Sequence, residues 1–133
     1  MTQKRALVVD DNDLFRQSVA DLLEEAGYEA ILAETPERAE ELKGNEKVDV
    51  ILCDLVMPSE FSSELEAGEG SAMVGVGAIH HFRKFYPETP IIAMSGVADK
   101  STLSAMERFG AKDALKKPFS LEELTSTLSR VVG

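Results

Sequence analysis

The stretch Val50-Ile51-Leu52-Cys53-Asp54-Leu55-Val56-Met57-Pro58 decides the fold. It is an apolar run that carries a single carboxylate and stops at a proline. An unbroken apolar run of this length, bounded by a breaker, marks a strand buried on both faces, as in the middle of a parallel sheet. Asp54 then falls at the carboxyl end of that strand. In open α/β sheets ligands collect outside the carboxyl ends of the strands, so an acid there is placed for chemistry rather than for solubility.

Working outward, the flanking sequence alternates strand and helix. Ala6-Leu7-Val8-Val9 is a short apolar run that ends in Asp10-Asp11-Asn12-Asp13, a strand followed by an acidic turn. Phe15, Val19, Leu22, Leu23 and Ala26 then recur at helical spacing until Gly27 stops them. Tyr28 to Ala33 is a second, weaker strand, and Thr35-Pro36 supplies an N-cap with proline in the first helical position. The helix from Pro36 to about Lys43 is polar, with Ala39 and Leu42 expected to face inward.

Beyond the central strand, Ser59 to Val74 is a run of Ser, Glu, Gly and Ala with four acids and no basic residue, which reads as a long acidic loop. Periodicity returns with Ile79, Phe82 and Tyr86, a helix that must stop before Pro87. Pro90 to Met94 is a fourth strand ending at Ser95-Gly96. A helix from about Lys100 to Phe109 is expected next, with Gly110 as its stop. Asp113 to Lys116 is a short fifth strand leading into Lys117-Pro118. The last helix opens on Ser120-Leu121-Glu122-Glu123, a capping box, and turns Leu121, Leu124, Leu128 and Val131 inward.

Five strands alternating with five helices give an α/β fold with a parallel sheet, because each crossover returns the chain to the same edge. The expected architecture is a flavodoxin-like, three-layer, doubly wound domain with a five-stranded parallel sheet in the order 2-1-3-4-5 and five helices. With 133 residues and 44% hydrophobic content, residues 1–133 are expected to form a single domain with an extended acidic loop at about 59–74. A formal charge of −10 argues against a nucleic-acid or anionic-membrane surface. Cys53 is the only cysteine, which suits a reducing compartment. The apolar stretch after Met1-Thr2-Gln3-Lys4-Arg5 is too short for a signal-peptide core. No stretch approaches the roughly 18 apolar residues of a membrane span, and a cytoplasmic location is expected.

In that strand order Asp10, Asp11 and Asp54 meet at the switch point. Three carboxylates at one edge repel each other unless protons or a cation intervene. Oxygen ligands alone select a hard ion, and magnesium suits a site that also takes a phosphate. A carboxylate facing a phosphoryl donor is a nucleophile able to form an aspartyl-phosphate. Lys117 can hold a phosphate oxygen as a point charge, and Ser95 can donate a hydroxyl hydrogen bond to another. Four strand ends thus supply the positioning and charge stabilisation that phosphoryl transfer requires. Asp13 reads instead as a cap or first-turn acid, Cys53 as a buried apolar residue, and His80 and His81 as solvated helix residues.

Val9-Asp10-Asp11, Asp54 with Met57-Pro58, Ala93-Met94-Ser95-Gly96 and Lys117-Pro118-Phe119 close strands 1, 3, 4 and 5 in turn. With these motifs the chain resembles a response-regulator receiver domain of the CheY-like superfamily over nearly its whole length. The resemblance implies that Asp54 is phosphorylated from a histidine kinase or histidine phosphotransfer protein in a two-component or phosphorelay system. It implies magnesium held by Asp11, Asp54 and the main-chain carbonyl of Val56, with Asp10 acting through water. Ser95 and Lys117 would bind the phosphoryl oxygens, and the Lys117–Pro118 bond would be cis.

Such a domain is not an enzyme beyond its own phosphotransfer and slow self-dephosphorylation. The new charge, about −1.5 to −2, would shift a conformational equilibrium and control a downstream protein or an output domain not in this chain. Neither nucleic-acid contact nor membrane insertion is implied. Val56 and Val97 are apolar and cannot orient a water for attack on the acyl phosphate, which predicts slow self-dephosphorylation. The sequence departs from the family pattern at Ala114, where an aromatic is usual, and in the acidic loop, which is expected to shape access to Asp54 or dock a partner. Two rivals follow. One is a pseudo-receiver that binds a protein and never takes phosphate, encouraged by Ala114. The other is a haloacid-dehalogenase-like phosphatase using Asp11, from the Asp11-Asn12-Asp13 spacing, although the chain is short for that fold.

Overall fold

In a computed structural model the chain is described over residues 3–43, 47–54, 82, 86–95 and 110–132. Along these residues run β1 (Lys4–Val9), α1 (Asp13–Glu25), β2 (Tyr28–Ala33), α2 (Pro36–Lys43), β3 (Val50–Asp54), β4 (Ile91–Ser95), β5 (Asp113–Lys116) and α3 (Leu121–Val132). The expected loop at 59–74, the helix expected at 100–109, and Val56, Val97, His80 and His81 lie outside the described residues. So does most of the helix ahead of Pro87. Its described residue Phe82 is helical and fully buried, and its carbonyl accepts the Tyr86 amide at 2.7 Å.

The strands pair in parallel in the order β2-β1-β3-β4-β5, as the sequence pattern led us to expect. Every residue of β3 and β4 is buried, because these strands are covered on both faces. Strand side chains alternate between faces, and the core divides accordingly. Leu7, Val9, Ile51, Cys53, Ile91 and Ala93 pack on one side with Ala39 of α2 and Phe82. Ala6, Val8, Val50, Leu52, Ile92 and Met94 pack on the other with Val19 and Leu23 of α1 and Leu124 and Leu128 of α3. Helices on both faces of one sheet make three layers. Each fully buried Leu, Ile or Val adds about 1.5–3 kcal/mol of apolar transfer.

The helix ends follow local chemistry. Asn12 caps α1 by accepting the Phe15 amide at 2.8 Å, and Gly27 ends that helix with a φ of +90° that a side chain would resist. Thr35 caps α2 through the Arg38 amide at 3.1 Å. Ser120 and Glu123 bond each other's amides at 3.1 Å, the reciprocal box expected before α3. One expectation fails: Leu42 is 42% exposed rather than inward, while Ala39 is fully buried. A three-residue step falls about 60° short of a full helical turn, and the narrow contact of this short polar helix with the sheet is filled by Ala39. Among the described residues no helix is long and apolar enough to cross a membrane.

Candidate functional site

The register of the sheet assembles the site. Val9 of β1 pairs with Cys53 of β3, so the residues that follow, Asp10 and Asp54, stand level at neighbouring strand ends. Asp10 is held there by its amide, which donates to the Ala33 carbonyl at 3.0 Å, and it is fully buried. Its Oδ1 accepts the Asn12 amide at 2.9 Å, and its carbonyl accepts Arg16 Nη1 at 2.7 Å. Asp54 is buried as well, whereas Asp11 is exposed. One carboxylate oxygen from each of Asp10, Asp11 and Asp54 lies within 4.8 Å of the others.

Lys117 reaches this cluster from the end of β5. Its amide donates to the Ser95 carbonyl at 2.7 Å, and the bond from Lys117 to Pro118 is cis, as expected. Its Nζ donates to Asp54 Oδ1 at 2.6 Å and lies 2.9 Å from Asp10 Oδ2. The second contact is an ion pair off the hydrogen-bonding axis, so the buried Oδ2 accepts no hydrogen bond. Burial of the ammonium works to lower its pKa, but its hydrogen bond to Asp54 and the close negative charges of Asp54 and Asp10 outweigh that and hold it above the usual lysine value. Lys117 is therefore a fixed positive charge. Its other side is covered by Phe15, whose ring centroid is 4.6 Å from Nζ, and that ring meets Phe119 edge to face at 5.7 Å. Ser95 is buried at the end of β4, beside Asp54's strand.

The arrangement thus joins Asp10, Asp11, Asp54 and Lys117, with Ser95 on the adjoining strand end; Val56 lies outside the described residues. A metal would find oxygen ligands alone, from three carboxylates of which those of Asp10 and Asp54 are buried. That donor set fits a hard divalent cation. Asp13 is the first-turn acid anticipated, paired with Arg16. Cys53 packs in the core, and burial, then the charges of Asp54 and Asp10, push its thiol far up, leaving it protonated and inert. Sequence reasoning missed Phe15 and Arg16 as members of the site, having read Phe15 as core alone. A signal was available: both lie in the first turn of α1, which must start at the same sheet edge as Asp10. A cavity of about 750 Å³ between Lys47, Asp49, Tyr86, Glu88 and Val131 lies at the opposite edge of the sheet, away from the acids.

Residues 6–129 match the family described as the response regulator receiver domain. The chain belongs to that family. This receiver domain is 30% identical over 129 residues to the chemotaxis protein CheY of Thermotoga maritima, covering 96% of the chain and 97% of that protein. It is 31% identical over 132 residues to the transcriptional regulatory protein CrdR of Helicobacter pylori, covering 96% of the chain but only 54% of CrdR. Against the crystal structure of the chemotaxis protein CheY4 of Vibrio cholerae the TM-score is 0.80 at 30% identity, over 98% of this chain and 99% of that one. The receiver domain is thus as long as a whole CheY and about half as long as CrdR. Receiver domains are signalling modules of two-component systems, and the grouped Asp10, Asp11 and Asp54 accord with a phospho-accepting role.

Proposed function

We propose that Asp54 is the phospho-acceptor of this receiver domain and takes its phosphoryl group from the phosphohistidine of a histidine kinase or histidine phosphotransfer protein. The observation that carries the reading is the placement of Asp54 Oδ1, 2.6 Å from the Lys117 ammonium and within reach of two further carboxylates. An Asp54 oxygen attacks phosphorus, the new O–P bond forms, and the P–N bond breaks with its electron pair going to the imidazole. Lys117 then pairs with a phosphoryl oxygen in place of the carboxylate. Ser95 donates its hydroxyl to another. Asp10, Asp11, Asp54 and the carbonyl of Val56 are the candidates to hold magnesium, Asp10 through water, and the ion would supply charge neutralisation between carboxylates and phosphate.

The added charge favours the arrangement in which Ser95 and Lys117 have closed on the phosphoryl group, and that shift of population is the output. It acts on a partner protein or on an output domain beyond these residues. The test is incubation with acetyl phosphate and magnesium followed by peptide mass spectrometry. One phosphoryl group on Asp54, absent in Asp54→Asn, is expected. Label on Asp11 with multiple turnover would replace this reading with a phosphatase, and no label at all would leave a pseudo-receiver.

A further inference from the structure

We propose that Phe15 is a positioning residue for Lys117: its ring is the wall that keeps the ammonium turned toward Asp54 while the carboxylate charge is being consumed. This role rests on the phospho-acceptor reading above. Phe15 is itself fixed at both ends. Its amide is bonded to the Asn12 side chain at 2.8 Å, and its ring is braced by the buried ring of Phe119, the residue after Pro118. The Lys117 ammonium sits 4.6 Å from the Phe15 centroid, within the range at which a ring face attracts a cation.

Among the described residues three groups hold the ammonium: Asp54, Asp10 and the ring. They do not share its fate during transfer. As the Asp54 oxygen attacks, its electron pair passes into the new O–P bond and its pull on Lys117 falls. With acetyl phosphate the P–O bond to acetate breaks and that electron pair leaves with acetate. The ring quadrupole does not change at any stage. A lysine on a flexible four-carbon stem would be least constrained at the moment when phosphoryl oxygens need it. The ring, with Asp10, keeps it in place. A contact of constant strength does not by itself favour the transition state; the ring acts by holding the ammonium where the phosphoryl oxygens will need it, so that its ordering is complete before transfer begins.

The test compares Phe15→Leu, which keeps apolar bulk without a π face, with Phe15→Tyr, which restores the face. Two readouts are taken: the rate constant for labelling by acetyl phosphate with magnesium, and the proton shifts of the Lys117 ε-methylene in the unlabelled protein. We expect the ring to move those protons upfield in the wild-type chain, the displacement to vanish in Phe15→Leu and to return in Phe15→Tyr. Labelling should slow about fivefold in Phe15→Leu, the size of a partly desolvated cation–π contact, and recover in Phe15→Tyr. A Phe15→Leu chain that labels at the wild-type rate overturns the role, as does one that labels slowly with the methylene shifts unchanged or without rescue by tyrosine. A wild-type chain that takes no label overturns the acceptor reading first, and the role with it.

Discussion

At Lys117 one ammonium answers two buried carboxylates, at 2.6 Å from Asp54 and 2.9 Å from Asp10. Methionine at this position would keep an unbranched stem and remove the charge, leaving the two acids facing each other. The lysine side chain is 19% exposed. Its loss should therefore cost more than a surface pair and less than the 3–5 kcal/mol of a fully buried one, about 2 kcal/mol. Urea denaturation of Lys117→Met in EDTA measures this, and an unchanged midpoint would mean that the pair never opposed a repulsion. Much of this site is legible residue by residue. Pro118 marks the lysine before it, and the proline after Met57 marks the end of the strand bearing Asp54. The difference between Asp10, fully buried, and Asp11, exposed, is not legible, because it comes from the hydrogen bond of the Asp10 amide to β2. Nor is the contact of Phe15 with Lys117. Helical period assigns a residue to a face, and only the packing of α1 against β1, β2 and α3 decides what that face meets.

Among the elements, α3 begins at Leu121, four residues after the lysine, and its start is secured by one reciprocal pair of hydrogen bonds. Ser120 Oγ accepts the Glu123 amide and Glu123 Oε1 accepts the Ser120 amide. Ser120→Ala removes the first bond and should cost about 1 kcal/mol, while Ser120→Gly should cost only a few tenths. Denaturant midpoints of the two variants check this, and midpoints equal to that of the wild type would show that the hydroxyl bond contributes nothing. Fraying here would also loosen Phe119, buried one residue ahead of the cap and packed on Phe15. Stops and caps of this kind were readable because they are settled within four residues: Gly27, Thr35 and Ser120 all fall at the helix ends where the structure has them, whereas at α1 the cap is Asn12 and Asp13 is the first-turn acid. The inward face of α2 was not, since Leu42 depends on how much of the sheet a short helix can cover. Strand order is likewise absent from periodicity. It followed from the number of alternating units and the fold type that number fits.

Across the whole molecule the charge is −10, and three of the acids are gathered within 4.8 Å of one another. A dication bound there in the folded state alone must stabilise the fold by mass action, by about 2.7 kcal/mol at a hundredfold excess over its dissociation constant. Any salt also screens a chain this acidic, so the comparison has to be made at matched ionic strength, magnesium chloride against sodium chloride. Asp11 separates the two effects because it is exposed, and asparagine there buries no new polar group. In EDTA Asp11→Asn should be at least as stable as the wild type, since one source of repulsion beside Asp10 and Asp54 is gone. With magnesium it should gain less than the wild type, since one ligand is gone too. The order of the two stabilities should therefore reverse between EDTA and millimolar magnesium. Thermal melts in the two buffers decide it: curves that shift in parallel would mean that the ion acts on the general charge of the protein and not through these three carboxylates.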